Sequence, residues 1–191
     1  EEYVYNSGND MCEILALQEF STLEDLKKFP YLRELCLNEC IVDDNTALGE
    51  LTKLENLKLD GYSIDSLDRL KNLTALKSLI IQGAEFEDLQ ALKELTNMEE
   101  LRLPNNNIKN IDALEKMTNL EELILYGNQI KNISALRKLC KLRVLKLEGN
   151  LIEDVEPLMN LKNLEKLSLG DNPVKNVQLL ENLTGTDIDL E

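Results

Sequence analysis

Few side chains in this sequence have the type and spacing for chemistry. Cys36 and Cys40 stand close enough together to begin a thiolate metal site. The chain has four cysteines and no histidine, so these two lack further ligands nearby and no metal site is expected. Without histidine there is no His-based triad, and the commonest general base is missing. Acidic pairs such as Asp43–Asp44 and Glu99–Glu100 have the atoms for calcium binding or carboxylate catalysis. With no pocket to desolvate them they read as surface charge. The eight glycines are isolated, so no phosphate-cradling loop is expected. Asn-x-Ser/Thr triplets at Asn72, Asn132 and Asn182 are expected by chance in an asparagine-rich chain. No catalysis and no cofactor follow from these residues.

The asparagines and leucines recur with a fixed spacing, which identifies the elements that hold them. From Leu32 a 22-residue phrase repeats seven times without insertion or deletion. Leu120 to Lys141 is the clearest copy, and the phrase reads L-x-x-L-x-L-x-x-N-x-I-x-x-I-x-x-L-x-x-L-x-x. Of its 49 apolar slots, all but Asn45 hold Val, Ile, Leu, Met or Phe, in a chain that is 43% hydrophobic. The alternation in L-x-x-L-x-L predicts a short strand with its leucines inward. The spacing of three in the second half predicts a 3₁₀ or helical turn with one buried stripe. One such unit cannot bury its own apolar residues. Stacked units form a continuous core, so stability resides in the interfaces between repeats. The strands are expected to align as a parallel sheet.

The ninth position of the phrase is Asn106, Asn128, Asn150 and Asn172 in the last four copies. An inward asparagine amide can satisfy turn groups that would otherwise be orphaned. Cys40, Tyr62 and Ala84 stand there in the first three, so the turns near Tyr62 and Ala84 are expected to be distorted or water-bridged. Gly61, Gly83, Gly127 and Gly149 share the eighth position, where they serve the tight turn.

On these residues the chain resembles the 22-residue class of leucine-rich-repeat proteins, over roughly residues 14–183. That class includes bacterial internalins and the leucine-rich regulator of protein phosphatase 1. Asp154-Val-Glu-Pro-Leu158 is similar to a segment common in internalins, and Asn132-Ile-Ser-Ala-Leu136 is more distant. The resemblance implies an α/β solenoid: a right-handed curved coil, a parallel β-sheet on the concave face, and 3₁₀ or short helices on the convex face. It also implies a binding role rather than catalysis.

The expected organisation is an N-terminal lead-in and degenerate capping repeat over 1–31, seven repeats over 32–185, and a final strand or cap over 186–191. Leu15, Phe20, Leu23, Leu26 and Phe29 fall in register as the degenerate repeat. In the last segment Asp187, Asp189 and Glu191 alternate with Ile188 and Leu190, and such acids discourage edge-to-edge pairing.

The third, fifth and seventh positions point away from the core, onto the concave face. There Ile80, Ile124, Tyr126 and Val144 are expected to be exposed apolar residues, with Lys58, Arg102 and Lys146 among them. Tyr and Arg are enriched at interface hot spots, and an apolar cluster rimmed by charge is how a binding site reads. These seven are the candidate partner-binding residues. The expected function is a non-catalytic protein-interaction module. The alternatives are a regulatory subunit of an enzyme such as a protein phosphatase, and a passive spacer in a larger surface protein. Acids on the helical side, such as Asp65, Asp68, Glu94 and Glu115, read as a solvated face.

The net charge is −15, from 21 basic and 36 acidic residues; residues 1–60 hold 14 acidic and 5 basic side chains, or −9 of it. This balance opposes nucleic acid and anionic membranes and steers toward basic partners. No stretch is apolar enough for a membrane span, and a monomer is expected. Cys12, Cys36, Cys40 and Cys140 form no paired cap. Cys36 should face outward and Cys40 inward, which disfavours a disulfide between them. Free thiols lean toward a reducing compartment. The chain opens at Glu1 rather than Met, which suggests processing or truncation, so bacterial surface, secreted and cytoplasmic locations all stay open.

Overall fold

The computed structural model describes residues 3–5, 14–17, 24, 26, 29–38, 46–60, 64 and 66–191. Among them ten strands form one sheet in chain order. They are β1 (Tyr3–Tyr5), β2 (Ile14–Leu17), β3 (Glu34–Asn38), β4 (Asn56–Asp60), β5 (Ser78–Ile81), β6 (Glu100–Arg102), β7 (Glu122–Ile124), β8 (Val144–Lys146), β9 (Lys166–Ser168) and β10 (Asp187–Asp189). β1 pairs antiparallel with β2, and β2 to β10 pair parallel. From β3 to β9 each residue stands beside its equivalent one repeat on, as Leu57 does beside Leu79 and Leu101 beside Leu123. Every column of the sequence phrase therefore becomes a row of side chains across the sheet.

β3 to β9 are each followed by a 3₁₀ turn, such as Leu67–Leu70, Asp112–Lys116 and Ser134–Lys138. All described helical turns are of this tighter type. With three residues per turn, 3₁₀ geometry matches the apolar spacing of three. The described core positions are all buried except Val174 and Val177. Those two lie in the last repeat, where β10 covers β9 but no described 3₁₀ turn stacks beyond Val177–Asn182. Burying a leucine contributes about 2 kcal/mol, and each is buried against the next repeat as well as its own.

A left-handed backbone turns the chain off the strand at the eighth position. Gly83, Gly127 and Gly149 have φ of +67°, +68° and +62°, and Asn105 and Asp171 reach +54° at the same place. Glycine enters this region without strain, and Asn and Asp tolerate it. Pro104 is accepted one residue earlier because the ladder uses the N–H of Leu103 and Asn105, on either side of it.

The asparagines then close the turn. Asn128 Nδ2 donates to Leu103 O at 3.0 Å and Leu125 O at 2.9 Å, and its Oδ1 accepts from Ile108 N at 3.0 Å. Asn150 and Asn172 repeat this pattern against Ile130 and Ile152. Asn106 departs from it: its Oδ1 accepts from Ala84 N at 2.8 Å, two residues before the equivalent donor. The shift falls where Ala84 has no amide of its own and Glu85 adopts φ +62°. The turn at Ala84 is thus distorted as the sequence suggested. Tyr62 and Cys40 lie outside the described residues, as do Cys12, Phe20, Leu23, Asp43, Asp44, Asn45, Gly61 and Asp65. Among the described residues, Cys36 and Cys140 join no disulfide, no cluster suits a metal ion, and no helix is long and apolar enough to cross a membrane.

Candidate partner-binding face

β4 to β8 bring the fifth-position side chains into one row. Lys58 stands beside Ile80, Ile80 beside Arg102, Arg102 beside Ile124, and Ile124 beside Lys146. Strands are spaced about 4.8 Å apart, so the row spans roughly 19 Å. Val144 lies one row over, beside Glu122 and Lys166. Tyr126 lies on the other side, just past the end of β7. Its carbonyl accepts from Asn105 N at 2.9 Å and from Asn128 Nδ2 at 3.3 Å. Tyr126 is thereby fixed through its backbone, leaving the side chain on the outer face.

Two expectations change. Ile124 was expected to be exposed, and it is buried at 9% relative exposure. Arg102 and Lys146 stand on either side of it in the row, and side chains of that length can lay their aliphatic stems along a neighbour on the sheet. Ile80, Tyr126 and Val144 are half-buried rather than fully exposed. Ile124 forms the floor of the face and its neighbours form the surface.

Arg102 is also not a free positive charge. Its Nε lies 2.5 Å from Glu100 Oε1 and 2.8 Å from Glu122 Oε1. These approaches are close enough for strong Coulombic attraction, but Nε lacks the alignment of a hydrogen bond. Two carboxylates against one guanidinium leave this group net negative. Both glutamates sit at the third position, so the register that builds the face also brings them to Arg102. Ser78 Oγ adds a hydrogen bond to Glu100 Oε2 at 2.6 Å.

Other ion pairs run along the edge formed by the second position. Lys77 binds Glu55 at 2.7 Å and Arg143 binds Glu165 at 2.8 Å. The hydrogen bond from Lys77 holds the Glu55 carboxyl below its ordinary pKa, and Arg143 does the same to Glu165. These pairs join adjacent coils beside the candidate face without entering it.

Two further polar columns went unnoticed in the sequence. Asp88, Asn110, Asn132 and Asp154 each accept, through Oδ1, the N–H two residues on, and so cap the 3₁₀ turn. Asn97, Asn119 and Asn163 each donate to a carbonyl of the preceding coil, those of Thr74, Thr96 and Cys140. The first column recurs every 22 residues and the second does so except at Lys141, a periodicity visible in the polar positions of the sequence.

Residues 96–138, 118–160 and 140–185 match the family model described as leucine-rich repeats in two copies. Among solved structures the chain is similar to internalin C2 of Listeria monocytogenes strain 4b F2365. The TM-score is 0.89 and the identity 31%, over 93% of this chain and 80% of that one. A second internalin of the same strain matches with TM-score 0.79 and 27% identity, over 91% of this chain and 58% of that one. A leucine-rich-repeat protein of Leptospira interrogans shares the fold at TM-score 0.77 and 24% identity, over 91% of this chain and 48% of that one. No curated protein matches the sequence.

Proposed function

The chain belongs to the leucine-rich-repeat family, and from that premise we propose that it binds a protein partner on the outer face of its sheet. Domains of this kind are protein-interaction modules. The observation that carries the reading is the continuous row from Lys58 through Ile80, Arg102 and Ile124 to Lys146, with Tyr126 and Val144 beside it. Five adjacent strands collect apolar and cationic residues there, on a chain of net charge −15. The anchors are Tyr126, Val144 and Ile80, half-buried side chains held by a rigid sheet. Rigid, partly buried anchors lose little entropy on binding. Ile124 supports them from below, and Lys58, Arg102 and Lys146 set the charge pattern. No group on this face is arranged for catalysis, so the role is recognition.

Affinity capture with quantitative mass spectrometry from the native host tests this. The Tyr126→Ala, Lys146→Glu double variant should lose the partners that the unmodified chain retains. A variant of the helical side, Lys93→Glu, should keep them. Equal capture by a folded double variant assigns binding to another surface.

A further inference from the structure

We infer that the partner meets this face with a carboxylate set beside an apolar side chain, the carboxylate on Lys146 and Lys166 and the apolar group on Val144, with Tyr126 a separate apolar contact across the row. This rests on the binding reading above and names the chemistry of the partner.

Val144 on β8 pairs with Lys166 on β9, and Lys146 follows Val144 by two residues on the same face. Lys146 is half-buried and Lys166 exposed. Among the described residues, neither ammonium makes an ion pair, while the other outer-face cations of the row are engaged. Arg102 stands between Glu100 and Glu122, and Lys58 has a partner. Among the described residues, the acids nearest in register make no ion pair with the two lysines. Glu148, two residues beyond Lys146, buries Oε2 without a hydrogen-bond partner. Asp187, beside Lys166 on β10, makes no ion pair with it among the described residues.

Lys146 stands beside Ser168 and Lys166 beside Val144, so the two lysines are diagonal neighbours about 7–8 Å apart, and one carboxylate set between them can reach both long side chains. Half-burial of Lys146 makes a charge-assisted hydrogen bond there stronger than one at an open surface. Val144, beside Lys166 and two residues before Lys146, supplies the apolar wall that excludes water from it. The remaining negative charge of the chain opposes an acidic partner at long range. At physiological salt that field is screened within about 8 Å, and the direct contact is not. A basic partner, favoured by net charge alone, would place its cation against two others.

The test is selection of phage-displayed random dodecapeptides on the immobilised full chain, on Lys146→Glu, Lys166→Glu, and on Tyr126→Ala. Circular dichroism and thermal melting check that each is folded. The best wild-type binder is then synthesised with its acidic residue and with that residue changed to the corresponding amide, Asn or Gln. The wild type should enrich Asp or Glu next to Val, Leu or Phe. The lysine double variant should bind that peptide at least tenfold more weakly and shift selection toward Lys and Arg. Weaker binding of the amide peptide supports a side-chain carboxylate on the two lysines, and equal binding of the two peptides would overturn it. Peptides that Tyr126→Ala loses but the lysine double variant keeps would overturn the carboxylate and leave the face standing. No enrichment on the wild type over Tyr126→Ala would overturn both.

Discussion

The side-chain oxygen of Asn128 accepts a hydrogen bond from the backbone N–H of Ile108, one coil earlier, at 3.0 Å. The same amide donates to Leu103 O and Leu125 O, so one side chain joins two coils through three backbone groups. Asn128→Ala orphans a buried N–H and weakens two carbonyl contacts. A loss of about 2–4 kcal/mol is expected by urea unfolding. Asn128→Asp keeps the acceptor but replaces the donor, so it should not restore the loss.

The eighth position can be tested separately from packing. A Cβ on Gly149 meets no atom closer than 3.6 Å, so Gly149→Ala is opposed by its φ of +62° and not by a clash. The expected cost is about 1–2 kcal/mol. Asn105 holds φ +54° at the same position, so Gly149→Asn should cost measurably less than Gly149→Ala. Equal costs would mean that tolerance of the left-handed backbone does not set the preference.

The leucine rows, the tight turn and the asparagine column were legible in the sequence because each is a property of one position repeated at a fixed period. Ile124 was not, because its burial depends on its neighbours across the sheet, Arg102 and Lys146, and not on its own column. The Arg102 group was half legible. Glu100 and Glu122 stand at the third position in the sequence, and their approach to Arg102 emerges only when the columns are laid side by side. The turn caps at Asp88, Asn110, Asn132 and Asp154 were obscured because three residue types, counting Ser66, fill one role.

Arg102 and Lys146 should therefore differ in binding. Arg102 is already balanced by two carboxylates, whereas Lys146 makes no ion pair among the described residues. Lys146→Ala should weaken partner capture more than Arg102→Ala once both are corrected for stability. Arg102→Ala should instead lower thermal stability at neutral pH, because Glu100 and Glu122 then face each other uncompensated. Isothermal titration and melting curves on the two variants separate these effects.

The edge ion pairs have a defined pH signature. Arg143 holds the Glu165 carboxyl below its ordinary pKa, so the folded chain favours the ionised form more than the unfolded chain does. That contribution is present above the ordinary carboxylate pKa and is lost as pH falls through the lowered value. The melting-temperature gap between the unmodified chain and Glu165→Gln should be open at pH 7 and close in acid. It should also narrow in high salt, since the pair is exposed. A gap that widens in acid would contradict this sign.

The binding claim is tested most directly by quantitative affinity capture with the unmodified chain, Tyr126→Ala with Lys146→Glu, and Lys93→Glu, all shown to be folded. The expected result is one set of partners retained by the unmodified chain and the helical-side control and lost by the sheet-face variant. Retention of the same partners by the sheet-face variant, at the same level, would contradict it.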